Sequence, residues 1–538
     1  METRRVSEET TVLLYRLANA SGHPKENRAY CHFIIEKPFE RIPMNSFQNN
    51  PFKTIAVLLV LALVGTVADA QIKVTEPDQN PDDIEIIEMT VSAASQPDPV
   101  FKHRLTFLPY ETTSGNAATI YLAGLAEYSL EKMFRDLEKK YGEEAYEWSY
   151  LDTPTEEIPL DKLKLTSAEF DPFIKEFIAQ ATRKRSCDWG LNMEDKTGPW
   201  FFEMNLSWMQ DTRTISRTLA IQTRLAIIES RFDDAIDLMR MNYRLAENVG
   251  REKVLVGNLI AIAETSITNG SMTHFIAAPD SPNMYWALTE LPRPMVDLRG
   301  AIRLECANGL RIVPELASAD TEEHSIEEWS RIAREIPVSL MEYTYQATES
   351  EIIGLRFIPL GFGIMSYGLA KQRLIESGMD PEKVEAMAVG QVLLIDAKQE
   401  YLRVANLMEK EIYLPFPSSD ERSGKIEDLM LSNQSQMTGG FGQIFAGLLL
   451  PALQQIRAAQ IRTDRDIDAL RVIEALRMHA AETGKFPTKL SDISVVPVPV
   501  NPATGKPFEY RLDGETAVVE LPRSDGPIYS KRYRISLR

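Results

Sequence analysis

Between Thr212 and Gly250 the chain reads "TRTISRTLAIQTRLAIIESRFDDAIDLMRMNYRLAENVG", and apolar residues recur at helical spacing on both sides of "ESRFDD". Leu219, Leu225 and Ile228 mark one stripe, Ala235, Ile236 and Leu245 the other, and Gly250 is the stop. A turn this tight forces two helices to lie antiparallel and to bury their facing stripes against each other. The hairpin therefore predicts a body made of packed helical pairs.

The surrounding text is of the same kind. Phe170, Phe173, Ile174, Phe177, Ile178 and Ala181 form an i, i+3, i+4, i+7 stripe, with a cap expected near Thr166 or Ser167 and an end at "RSCDWG". A helix is expected from Val254 to Asn269, and another opened by Ser281-Pro282 and stopped by "LPRP" (291–294). Asp380-Pro381 reads as cap and first position of a long helix to Leu414, with Leu394, Tyr401, Ala405, Met408 and Ile412 on one face. The apolar stretch "GLRFIPLGFGIMSYGLA" (354–370) holds Arg356 and internal glycines, which favours a buried hairpin or irregular core segment over a membrane span.

From Pro451 a helix of about thirty residues carries Ile467, Leu470, Ile473 and Leu476 on one face and stops at Gly484. "GKFPTKLSDI" turns the chain, and "FEYRLDGETAVVEL" reads as a hairpin with Asp513-Gly514 as a two-residue type I′ turn. A lone hairpin is marginal in water, so Phe508, Tyr510, Val518 and Leu521 are expected to dock on the helix stripe. "GGFGQIFAG" (439–447) follows no strand and reads as a flexible joint. The fold expected is mainly α, a helical-hairpin, repeat-like body with a small C-terminal α+β module. The divisions are a tether at 71–100 with a short strand at Ile84 to Val91, a helical body at 101–435, a joint and long helix at 436–483, and the β-hairpin module at 484–538.

The first residues raise a separate question. Thr54 to Ala68 is nearly pure apolar text behind Lys53, closed by Ala68-Asp69-Ala70. It falls short of the roughly 20 apolar residues of a membrane-spanning helix and has the three parts of a secretory signal. Met44 is then the expected start, 44–70 the signal peptide with cleavage between Ala70 and Gln71, and 1–43 a mis-called N-terminal extension. The alternative is an uncleaved inner-membrane signal anchor, the sole membrane contact the sequence suggests. The expected location is the periplasm or cell envelope.

Charge and cysteine content narrow the partners. The chain carries a net charge of −19, and removing residues 1–70, with eight basic and seven acidic residues, leaves −20. Such a charge repels phosphate backbones, so nucleic acid is excluded as a partner; Arg183-Lys184-Arg185 is isolated. Cys187 and Cys306 remain after the leader, which in an exported chain reads as one disulfide or as two buried thiols. His103, His274, His324 and His479 have no metal-ligand spacing, and "HSIEE" at 324 lacks the second histidine of a zinc motif. No nucleophile elbow, phosphate loop or dinucleotide fingerprint is present, so no cofactor, metal or catalytic residue is assigned.

One stretch has the composition of a site. "CDWGLNMEDKTGPWFFEMNLSW" (187–208) holds three of the six tryptophans beside several carboxylates. Asp188, Trp189, Trp200, Glu203 and Trp208 are the candidate binding residues. Rings with carboxylates grip sugars or cations, and paired carboxylates hydrolyse glycosides. Large rings also plug gaps between helical layers, the more frequent use.

Three resemblances follow from these segments. "RLAIIESRFDDAIDLMRMNYRLAENVG" is similar to one tetratricopeptide hairpin, without a following 34-residue period. The helix, turn and hairpin of 460–521 resemble the globular module of type II secretion pseudopilins, but at the wrong end of the chain for filament assembly. "CDWG", "YWALTELPRPMVDLR" (285–299), "GMDPEKVEAM" (378–387) and "NPATGKPFEYRLDG" (501–514) resemble an uncharacterised family of large exported planctomycete proteins. That last resemblance implies export and a helical body, with no activity to transfer. The function expected is an exported, non-enzymatic scaffold or binding protein for a protein or glycan of the envelope. The alternatives are a carboxylate-dependent glycan hydrolase using 187–208 and a structural partner of an envelope or secretion assembly.

Overall fold

The computed structural model describes residues 84–142, 148–193, 196–198, 206–345, 358–414, 451–521 and 531–538. The chain enters as β1 (Glu85–Val91), reaches β2 (Thr113–Asn116), and continues into α1 (Ala117–Glu127), α2 (Leu130–Tyr141) and α3 (Leu160–Phe173). After β3 (Lys184–Ser186) come α4 (Ser207–Ile228), α5 (Phe232–Gly250), α6 (Leu255–Ala277) and the short α7 (Tyr285–Thr289). Next are α8 (Arg299–Ile312), α9 (Pro314–Ser318), α10 (Ile326–Tyr345), α11 (Ile358–Glu376), α12 (Pro381–Ala386) and α13 (Val389–Glu411). The last part comprises α14 (Pro451–Thr483), β4 (Val500–Asn501), β5 (Lys506–Pro507), β6 (Glu509–Asp513), β7 (Thr516–Leu521) and β8 (Lys531–Leu537). The architecture is mainly α with a small strand-containing module. No helix of the described residues is long and apolar enough to cross a membrane. The signal segment at 44–70, its Ala70 and Gln71 junction, residues 1–43 and the glycine-rich joint at 439–447 lie outside the described residues.

α4 and α5 form the expected hairpin. Their turn is closed by Ser230 at φ +57°, with the Arg231 N–H donating back to the Ala226 carbonyl at 2.8 Å. α6 packs on both helices and completes a three-helix layer. Gly250 does more than end α5, because a methyl group there would meet the Ala261 side chain at 3.2 Å and Val296 at 3.4 Å. Close approach of α5 to α6 depends on it.

Several helices differ from expectation. α3 starts at Leu160, so Thr166 is a buried mid-helix residue instead of a cap. The helix runs past Pro172 through a π-helical turn (Ile174–Ile178), and Phe170, Phe173, Ile174, Ile178 and Ala181 are buried as the stripe requires. α6 extends to Ala277. α7 starts at Tyr285, where the Asn283 side chain accepts the Tyr285 N–H, so Ser281-Pro282 is not its opening. The 354–370 stretch contributes a continuous helix, α11, from Ile358 onward. Asp380 caps α12 as expected, but Met387 and Ala388 adopt extended backbone and α13 begins afresh. The restart places Gly390 against the Trp329 carbonyl of α10, where a side chain has no room.

The end of the chain reorganises the expected module. β6 and β7 pair antiparallel with Asp513 opposite Thr516, so the loop is Gly514-Glu515 and not Asp513-Gly514. The positive φ, +64°, falls on Gly514 alone, the demand of a type II′ turn instead of type I′. β8 pairs with β7, and β1 pairs parallel with β8, giving the order β1-β8-β7-β6. Residues 85–91 are thus part of a sheet and not of a tether. Phe508, Leu521 and the partly buried Tyr510 pack with Ile467, Leu470, Ile473 and Leu476 as expected. Val518 is buried on the opposite face, because strand alternation assigns Ala517, Val519 and Leu521 to the helix side.

This core also takes in Ile227, Ile236, Met239 and Phe275 of the helical layer. Packing therefore crosses the boundary expected before residue 484. At its centre Glu474 and Arg477 form a fully buried ion pair. Arg477 donates to the Ser92 carbonyl at 2.8 Å and the Ser281 carbonyl at 2.7 Å, and Glu474 accepts the Met284 N–H at 3.0 Å. Each charge is satisfied, as burial demands. A second network joins Arg293 and Arg471 to Asp468 at 2.9 and 2.8 Å, beside Asp464, which accepts the Met295 N–H at 2.9 Å.

Candidate binding site

The 187–190 segment is held by β3, which pairs parallel with β2 and brings the chain over the start of α1. Asn116 caps α1 by accepting the Ala118 N–H and also clamps Asp188, donating to its carbonyl at 2.6 Å and accepting its N–H at 2.8 Å. The Asp188 carboxylate is exposed and accepts the Gly190 N–H at 2.9 Å, a turn that Gly190 permits at φ +73°. Trp189 is thereby directed inward. Its ring stacks on Tyr121 with centroids 5.6 Å apart and on Trp208 at 4.1 Å. Its indole N–H donates to the Asn248 carbonyl at 3.1 Å, and its backbone N–H donates to the Glu252 carboxylate at 3.0 Å. Asp188, Trp189 and Trp208 are thus brought together, with Trp189 as an interhelical plug; Trp200 and Glu203 lie outside the described residues.

Two carboxyl groups here carried no sequence motif. Burial pushes Glu252 above the usual carboxylate range, the Trp189 N–H opposes that, and nearby Asp188 reinforces it. Glu264, from the middle of α6, is fully buried, and burial raises it to about 8 against the opposing pull of Thr212 and Arg213. It is a neutral acid at neutral pH. The one signal for it in the sequence was a lone carboxylate inside the apolar run "LIAIAETSIT" (259–268).

A small aromatic pocket lies between α2, α3, α4 and the 3₁₀ turn Trp148–Leu151, with an inner volume of about 10 Å³, room for about one water. Phe134, Trp148, Tyr150 and Phe170 line it with Thr166, Ser167, Thr218, Ile221 and Gln222. Phe134 meets Trp148 edge-on at 5.3 Å and Phe170 at 5.0 Å, and the Arg217 guanidinium lies 5.4 Å from the centre of the Trp148 ring. The wall is pinned from behind. His274 Nε2 lies 2.8 Å from the Leu151 carbonyl, and Arg224 donates to the Thr153 carbonyl and Thr155 hydroxyl, each at 3.0 Å. Burial lowers His274 to about 3, so the ring is neutral and Nε2 is its N–H donor. Burial likewise lowers Arg224 to about 10.

Cys187 and Cys306 are free thiols, so the bridge expected of an exported chain is not made. They occupy separate surroundings: Cys187 accepts the Ala118 N–H at the start of α1, while Cys306 lies in α8, its carbonyl accepting the Tyr401 hydroxyl at 2.9 Å. Burial pushes both thiols up to about 12, which suppresses the reactive thiolate. Among the described residues no cluster of histidine, cysteine or carboxylate side chains could hold a metal ion. No family model matches the chain, and no curated protein and no solved structure matches it.

Proposed function

We propose that this is an exported, non-enzymatic binding protein of the periplasm or cell envelope, a helical scaffold that holds its ligand at the aromatic pocket around Trp148. The observation that carries the reading is the aromatic lining of this pocket: Phe134, Trp148, Tyr150 and Phe170 converge in front of a wall fixed by His274 and Arg224, and rings of this kind offer a flat apolar surface to a ligand. A pinned wall lowers the ordering cost of binding. The ligand presents a compact apolar face, as the ring of an envelope glycan or an apolar side chain of an envelope protein does. The apolar run at 54–68 supports export.

Calorimetric titration of the purified protein with envelope glycan fragments and with envelope peptides tests it. Saturable binding lost in Trp148→Ala is expected. Binding undiminished in that variant, or none by the wild type, removes the reading. Cell fractionation with N-terminal sequencing tests export separately, with Gln71 as the expected first residue.

One observation favours a second reading, a carboxylate-dependent glycan hydrolase. Glu252 is held above the usual carboxylate range by burial with Asp188 nearby, and a pair of carboxyl groups, one of them raised, is the apparatus glycosidases use. Glycan hydrolysis by the wild type that is abolished in Glu252→Gln supports this reading; a wild type that releases no sugar from envelope glycans ends it.

A further inference from the structure

Arg183, Lys184 and Arg185 stand alone in the sequence, but the fold gathers further charge around them. α5 runs behind β3, where its Arg244 donates to the Lys184 carbonyl at 2.8 Å and Arg251, at its C-terminal cap, donates to the Arg185 carbonyl at 3.1 Å. Those two guanidiniums share one carboxylate, Glu247, at 2.6 Å each. A turn earlier, Arg240 pairs with Glu111 and lies 3.9 Å from Asp237. At the far end Asp188 and Glu252 accept the Gly190 and Trp189 N–H groups. Cations outnumber carboxylates among these residues, on a chain whose net charge is −19.

The outward cations are not neutralised. Arg183 and Arg185 are exposed and Lys184 is half-buried, and among the described residues none of the three forms an ion pair. Lys184 donates to the Thr113 hydroxyl at 3.1 Å and the Ser114 carbonyl at 3.4 Å. Arg185 donates to the Thr112 hydroxyl at 3.3 Å and the Thr112 carbonyl at 3.4 Å. Hydroxyls and carbonyls fix these side chains without cancelling their charge. Two residues before Thr112, the Tyr110 ring is 83% exposed. β2 and β3 themselves carry no apolar side chain that could enter a bilayer.

We propose that the β2–β3 ribbon docks an acidic polysaccharide, a sugar chain carrying carboxylates at intervals. Guanidinium groups receive carboxylates through paired hydrogen bonds, the ribbon's hydroxyls match sugar hydroxyls, and the Tyr110 ring offers a flat face to a sugar ring. Spacing favours this partner over a nucleic acid. Residues 183 and 185 lie about 7 Å apart at the rise of a strand, whereas duplex DNA carries a charge every 1.7 Å or so. The negative charge of the whole chain also opposes the denser polyanion more strongly. This surface shares no residue with the Trp148 pocket, so the two readings can fail separately.

The experiment is a calorimetric titration of the purified protein with polygalacturonate fragments, with dextran as the uncharged control. Saturable binding of polygalacturonate and not of dextran is expected, weakening as salt is added. Arg183→Gln, Lys184→Gln and Arg185→Gln combined should weaken it about tenfold or more, and Tyr110→Ala should weaken it several-fold. Saturating polygalacturonate should also shield Lys184 of the wild type from acetylation, read by mass spectrometry, so a poorly folding variant does not protect the proposal. It is overturned if polygalacturonate does not bind, if dextran binds equally well, if the triple variant binds as tightly as the wild type, or if Lys184 stays open to acetylation. Tighter binding of polyglutamate, of anionic phospholipid vesicles or of single-stranded DNA, with the same shielding of Lys184, would assign the surface to another partner and equally overturn it.

Discussion

Glu85, the first residue of the first strand, stands opposite Lys531, the first residue of the last, and their side chains meet at 3.5 Å. Lys531 also reaches Asp466 of α14 at 3.2 Å. One ammonium group thus ties together three parts of the chain far apart in sequence. Burial pushes Glu85 above the usual carboxylate range, and Lys531, held by Asp466, Tyr533 and Glu85, is raised despite its own burial.

Lys531→Ala should leave Glu85 and Asp466 facing each other without a cation. A loss of about 1.5–3 kcal/mol is expected, the range of hydrogen bonds to charged groups, because these side chains are only partly buried. Urea unfolding measures it, and β1 should lose amide protection first.

Leu470→Ala should cost about 2–5 kcal/mol, because Leu470 is fully buried where α14 meets the sheet. Hydrogen exchange should show β6 and β7 opening along with the helix. Hairpin protection unchanged by the substitution would mean that the docking is energetically unimportant.

Gly390→Ala should force α10 and α13 apart. The added methyl group would lie 2.4 Å from the Trp329 carbonyl oxygen, a backbone atom that cannot swing away. Overpacking of this kind costs about 1–3 kcal/mol, and thermal melting is the readout.

Asp464 gives a pH dependence with a defined sign. Burial raises it from 3.8 to about 6, so the unfolded chain ionises this group first and the native state is penalised as pH rises. Relative to Asp464→Asn, which keeps an acceptor for the Met295 N–H, the wild type should lose about 1.4 kcal/mol per pH unit between the two pKa values. Above the folded value the difference should stay constant. Denaturant titrations of both proteins across that window measure the slope.

Thiol counting on the denatured, unreduced protein should find both Cys187 and Cys306 free. In the native protein at mildly alkaline pH both should alkylate slowly, since burial holds each thiol far above that pH.

What the sequence determined by itself was local. The α4–α5 hairpin, the buried stripe from Phe170 to Ala181, the Asp380 cap and the helix stopping at Gly484 all follow from period, cap chemistry and φ preference within about one helix length. The inward plug of Trp189 was legible as the ordinary use of a large ring. Tertiary structure alone decided the rest. The loop of the β6–β7 hairpin falls at Gly514-Glu515, which sets Tyr510 opposite Val519 and Leu512 opposite Ala517, a pairing that the turn residues by themselves left open. The pairing of β1 with β8 joins residues more than four hundred positions apart, and no local signal encodes a parallel partner. The pocket was invisible for the same reason: Phe134, Trp148, Phe170 and Gln222 sit on separate elements, and their convergence exists once α2, α3 and α4 have packed. Glu264 differs in kind, since its position was plain in the sequence while its chemistry was not, because the shift of an acid depends on how completely three neighbouring helices exclude water.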